Sequence, residues 1–101
     1  NAASRTRKKS TDSLTAAGYE LFERLRALRL VIAREEGMPP YIIFNDKTLI
    51  DMCEKLPVDA DTMLSVSGVG QNKLMKYGGR FTEEINKFVS EHPGVVTTLD
   101  I

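Results

Sequence analysis

The sequence predicts an all-α fold, a compact bundle of about five short helices. Three observations carry this. Apolar residues recur at three- and four-residue spacing instead of alternating, the periodic stretches are bounded by residues that cap or stop helices, and the connections between them are short. No internal repeat appears, and only Val95-Val96 at the end of the chain has strand character. The 101 residues, 42% hydrophobic, suffice for one domain with a modest core and no covalent staples.

Residues 1–13 (NAASRTRKKSTDS) are small, polar and basic, and are expected to form a disordered linker or tail. From Thr15 to Glu36 the pattern is helical. Leu21, Leu25, Leu28 and Ile32 share one face, Phe22 widens it, and Gly37 supplies a C-terminal stop. Leu30 falls nearly opposite, between Arg26 and Arg34.

Met38-Pro39-Pro40 is expected to be extended and stiff, because proline fixes φ and pushes its predecessor out of the helical region. Tyr41-Ile42-Ile43-Phe44 is too short for an independent helix and too apolar for a free loop. It reads as a connector pinned onto the core by Ile42, Ile43 and Phe44, with Tyr41 facing out. Asn45 is the next N-cap, and Asp46 suits the positive end of a helix dipole. That helix turns Leu49, Ile50, Cys53 and Leu56 inward and stops at Pro57. Asp59 caps a short helix through Met63 and Leu64. A glycine hairpin, Leu64 to Leu74, leads into a helix from Gln71 to Tyr77. Gly78-Gly79 are expected to break the chain before a last helix, Arg80 to Glu91, that buries Phe81, Ile85, Phe88 and Val89 and ends at Pro93-Gly94. The folded domain is therefore placed at residues 14–94, with 95–101 as a C-terminal tail.

Charge and cysteine content narrow the function. The formal net charge is zero, but residues 1–13 carry +3, which leaves −3 on the remainder. A dedicated duplex binder shows a basic excess on its folded part, so nucleic-acid contact by this domain should be weak or local. The single cysteine, Cys53, excludes an internal disulfide and reads as a small core residue in a reducing, cytoplasmic setting. No apolar run is long enough to span a bilayer, and no membrane partner is expected.

Two constellations carry chemistry. In the hairpin, Gly68-Val69-Gly70 permits tight backbone geometry. The amides opening the Gln71 helix would receive a phosphate, with Lys73 and Lys76 nearby; alternatively, the glycines only let two helices turn. The spacing is not that of a nucleoside-triphosphate loop, since one residue separates the glycines and Asn72 precedes Lys73. The second is Tyr41. Exposed and stiffened by the prolines, its ring would stack on an unpaired base, worth about 1–3 kcal/mol, with Arg26, Arg29 or Lys47 meeting flanking phosphates. Buried, it would simply join Ile42–Phe44. No catalytic site is expected: His92 has no partner ligands in sequence, Glu35-Glu36 and Glu83-Glu84 split across helix surfaces, and Ser65 and Ser67 have no activating histidine.

Pro39-Pro40-Tyr41-Ile42-Ile43-Phe44-Asn45-Asp46-Lys47-Thr48-Leu49, followed by Met63-Leu64-Ser65-Val66-Ser67-Gly68-Val69-Gly70, resembles the helicase-and-RNase-D C-terminal (HRDC) domain, in the version that ends bacterial RecQ-family DNA helicases. The resemblance covers about residues 17–92. It implies a monomeric helical module with no catalytic activity and no cofactor of its own, in a bacterial, nucleoid-associated setting. Its implied partner is single-stranded or partly duplex DNA, bound weakly, with Tyr41 as the contacting aromatic and Arg26 and Arg29 as basic neighbours. The other role open to such a domain is docking on the helicase core of the same chain or on another protein.

Overall fold

The computed structural model describes residues 10–99. Most of the segment expected to be a disordered tail lies outside them, but Thr11–Ser13 form a 3-10 turn whose cap, Ser10, accepts from the Asp12 amide. Helix α1 spans Ala16–Glu36, α2 Pro40–Ile43, α3 Asp46–Lys55 and α4 Ala60–Leu64. The fifth helical element begins at Gln71–Lys73 (α5), widens into a π-type turn at Leu74–Gly78, and continues as α6, Gly79–Glu91. No helix of the described residues is long and apolar enough to cross a membrane.

The boundaries follow from local chemistry. Thr15, Asn45 and Asp59 each accept a backbone N–H of the first turn of α1, α3 and α4, and Asp59 and Thr62 complete a reciprocal capping box. At the end of α1, Gly37 adopts φ 68°, the left-handed geometry that lets its amide and that of Met38 close on the last carbonyls. Pro57 stops α3, and Leu56 before it closes the helix as a left-handed cap at φ 50°, its amide donating to Met52 O.

Gly78-Gly79 do not break the chain. Both sit at helical angles (φ −55° and −61°), and the helix passes straight through them. Glycine costs about 1 kcal/mol in a helix. Buried Tyr77 and Phe81 on either side outweigh that, because each anchors the same face to the core.

The core gathers Leu21, Leu25 and Ile32 of α1, Ile43, Phe44, Leu49 and Met52 of the middle, and Phe81, Ile85 and Phe88 of α6, all essentially inaccessible. Arg24 clasps α1 to α6. It reaches Glu84 and Glu91 at 2.7 Å each, and its guanidinium lies 5.5 Å from the Phe88 ring centre. Beyond α6 the chain turns back along the start of α1. Leu14 and Thr98 form an isolated antiparallel bridge, the Thr15 amide donates to Thr97 O at 3.0 Å, and the buried Thr97 hydroxyl donates to Cys53 O at 2.7 Å. Residues 95–99 thus lie hydrogen-bonded along the start of α1, with Thr97 buried and Val96 and Leu99 exposed. Gly18 is glycine because a side chain there would collide with the Thr97 carbonyl.

Candidate nucleic-acid interface

The connector between α1 and α3 is built as a rigid step. Pro39 is extended (φ −61°, ψ 143°), and Pro40 occupies the first turn of α2, where its missing N–H costs nothing. Pro40–Ile43 therefore make a one-turn helix, with Phe44 extended after it, contrary to the expectation of an irregular segment. Its short length still sorts the side chains: Ile43 and Phe44 point inward, and Tyr41 is 65% exposed. Ile42, expected to be a pin, is 41% exposed, since the turn that buries Ile43 rotates its neighbour outward. The anchor is Phe44. Its ring meets Phe81 edge-on at 5.1 Å and Tyr77 at 6.1 Å.

Arg29 ties the connector to α1. One terminal nitrogen donates to Phe44 O at 3.0 Å and to Asp46 Oδ1 at 2.9 Å, and the side chain is only 11% exposed. Its Nε is buried without a hydrogen-bond partner. Arg29 therefore braces the step and does not project toward a strand. Arg26 is exposed, and one of its nitrogens bonds both oxygens of Glu23 at 3.2 Å. The Glu23 carboxylate also holds the Tyr19 phenol above its ordinary value, through hydrogen bonding and then charge. Between α1 and Pro40 lies a groove of about 260 Å³ lined by Glu23, Arg26, Ala27, Arg29, Leu30 and Pro40.

The hairpin packs against the start of α3. Gly68 adopts φ 87°, and a Cβ there would strike Thr48 Oγ1. Val66 and Val69 are buried as anchors, whereas Leu64 is 38% exposed. Gly70 caps α5 through its backbone geometry alone, with open space around it. Sequence reasoning missed Asp51. This carboxylate, 1% exposed on α3, accepts from the Ser67 amide at 2.8 Å and from Lys55 at 2.9 Å. The four-residue spacing of Asp51 and Lys55 signalled the pair, but nothing in the sequence signalled Ser67. Glu23, a carboxylate lining the groove, was missed in the same way.

The candidate residues thus fall into two groups. Around the connector, Arg29 meets Asp46, Lys47 follows it exposed, and Lys73 reaches over the Phe44 ring, 5.8 Å from its centre. Tyr41 and Arg26 belong to the same region through Pro40 and the groove. Gly68 joins it through Thr48, while Gly70 and the exposed Lys76 sit farther along, at the start of α5 and on the π-type turn.

The family profile of the HRDC domain matches residues 19–85, from the first turn of α1 into α6. The chain belongs to the HRDC domain family. This HRDC domain is 51% identical over 69 residues to the ATP-dependent DNA helicase RecQ of Bacillus subtilis, a match covering 68% of the chain and 12% of that protein. The match to RecQ of Haemophilus influenzae is 42% over 77 residues, covering 76% and 12%. The ATP-dependent DNA helicase UvrD2 of Mycobacterium tuberculosis is 41% identical over 59 residues, covering 58% of the chain and 8% of the relative. Among solved structures, D. radiodurans RecQ HRDC domain 3 superposes with a TM-score of 0.69 at 28% identity, covering 71% of this chain and 95% of that one. The chain therefore spans about an eighth of the RecQ relatives it matches. The fold and family expected from the connector and hairpin motifs are the ones found.

Proposed function

We propose that this HRDC domain is a non-catalytic accessory module of a RecQ-like DNA helicase in the bacterial cytoplasm, acting with the nucleoid, as a monomer and without a cofactor. It holds single-stranded or partly duplex DNA weakly and tunes which substrates the motor engages. The observation that carries this reading is Tyr41: a 65% exposed aromatic on a step stiffened by two prolines and braced from behind by Arg29 and Phe44. A ring held this way stacks on an unpaired base with little entropy to lose. Arg26, Lys47, Lys73 and Lys76 supply phosphate contacts around it. Arg29 supports the step, and Gly68 and Gly70 shape the hairpin beside it.

The competing reading is a docking module for the helicase core or another protein. It draws on Leu30 (40% exposed) and Val31 (47%) on the outer face of α1, together with the net acidic fold. Titration of the chain with a single-stranded oligonucleotide at low salt, followed by backbone amide NMR, separates the two. Shifts centred on residues 38–47 and the second half of α1, lost in Tyr41→Ala, are the expected result. Shifts confined to the basic N-terminal residues, or none at all, would leave docking as the function, and shifts at residues 38–47 unchanged by Tyr41→Ala would overturn Tyr41 as the contact.

A further inference from the structure

We propose that the groove between α1 and Pro40 is a subsite for one unpaired nucleobase and discriminates against thymine. The inference rests on the single-strand reading above and deepens it by assigning a second base contact and a base preference.

The walls of the groove are apolar: Ala27 and Leu30 on α1, and the Pro40 ring across from them. Its polar edge is Glu23, with Arg26 beside it. Arg29 also lines the groove, but its guanidinium is held by Phe44 O and Asp46, and Arg26 is held by Glu23. A phosphate is therefore a poor occupant, because it would enter beside the Glu23 carboxylate and compete for cations already paired. A flat ring with an N–H edge matches both features, with its faces against Leu30 and Pro40 and its edge toward Glu23. Carboxylates accept from the exocyclic amino group of cytosine in this manner. Arg26 holds both Glu23 oxygens through a single nitrogen at 3.2 Å and the Tyr19 phenol bonds the same carboxylate, which orients it and still leaves acceptor capacity among its roughly four lone-pair sites. Cytosine, adenine and guanine each present an exocyclic amino group. Thymine presents one ring N–H flanked by two carbonyl oxygens, and those oxygens would face the carboxylate. The groove is also continuous with the proposed stacking residue, since its wall, Pro40, directly precedes Tyr41 in α2. One strand passing over the connector reaches both.

The test compares dC8 and dT8, two oligonucleotides of equal charge, by fluorescence anisotropy with the full chain. The expected result is about fivefold tighter binding of dC8, corresponding to roughly 1 kcal/mol, the low end for a base-edge contact. Glu23→Gln, whose amide both donates and accepts, should bring the ratio below about twofold. Any phosphate affinity gained by releasing Arg26 raises both oligonucleotides alike and cancels in the ratio. Ala27→Met, a helix-compatible change at an exposed position, should fill the groove and weaken dC8 severalfold. NMR shifts at Tyr41 should persist in that variant, showing that the protein is folded and still stacks. If dT8 binds as tightly as dC8, or if Ala27→Met changes nothing while Tyr41→Ala abolishes binding, the groove subsite is wrong and the single-strand reading stands. If neither oligonucleotide binds at all, both fall.

Discussion

Arg29 on α1 and Asp46 at the start of α3 are joined at 2.9 Å across the connector, and the same guanidinium nitrogen takes the Phe44 carbonyl at 3.0 Å. This places a basic side chain of the proposed DNA face in a structural post. Asp46 is 67% exposed, so the ion pair itself adds little, and the part-buried bond to Phe44 O carries most of the effect. Arg29→Ala should cost about 1–2 kcal/mol in urea unfolding. Asp46→Asn should cost much less.

The same distinction appears in salt dependence. A residue that neutralises a phosphate of single-stranded DNA contributes about 0.7 to the slope of log affinity against log salt. Lys47→Ala should shallow the slope by that amount. Arg29→Ala should weaken binding through the connector and leave the slope as it was, measured between about 50 and 200 mM salt.

Asp51 predicts a larger stability effect. Its buried carboxylate takes the Ser67 amide, and truncation strands that N–H, whereas the half-exposed Lys55 ammonium keeps Ser65 O and solvent. Asp51→Ala should lower stability by about 2–3 kcal/mol, and the Ser67 amide should exchange with solvent faster than the α1 core amides.

The two hairpin glycines should behave oppositely. Gly68→Ala meets both a left-handed φ of 87° and the Thr48 hydroxyl, and should cost at least about 2 kcal/mol. Gly70 has φ −94°, open space and no side-chain cap, so Gly70→Ser should stabilise the chain by a few tenths of a kcal/mol. Thermal melts of the two variants should move in opposite directions.

Burial pushes the Cys53 thiol up to about 12, with the nearby Glu54 charge adding to the effect. In the unfolded chain the thiol titrates near 8.5. A folded value above the unfolded one means that this contribution to stability is complete below about pH 8.5 and is lost as the pH rises from there toward about 12. Alkylation of Cys53 at pH 8 should accordingly track global unfolding, accelerating in proportion to the unfolded fraction as urea is added.

Much of the fold could be read from the sequence because caps are local chemistry. Thr15, Gly37, Asn45 and Asp59 stand where the helices begin and end, and each acts within four residues of itself. Tyr41 was legible for a related reason: among four successive apolar residues, the one with a polar tip is the least costly to expose. Ile42 was not, because the rotation of a one-turn helix is set by the neighbours it packs against. Arg29 looked like a phosphate ligand because its partners lie 15 and 17 residues away. Gly78-Gly79 looked like a break because propensity weighs little against the burial of Tyr77 and Phe81. The packing of residues 95–99 on α1 and α3 rests on contacts with residues 13, 15 and 53, which no local pattern announces.

The π-type turn at Leu74–Gly78 acts as a phase adapter. A π turn holds one residue more than the α-helical turn it replaces, and one residue of an α-helix is about 100° of rotation. Removing a single residue within 74–78 would restore uninterrupted α geometry. With Phe81, Ile85 and Phe88 fixed in the core, everything upstream would then swing by that angle, taking Lys73 off the Phe44 ring and Gly68 off Thr48. The orientation of the hairpin relative to Tyr41 is therefore encoded in the residue count of the turn that joins it to α6.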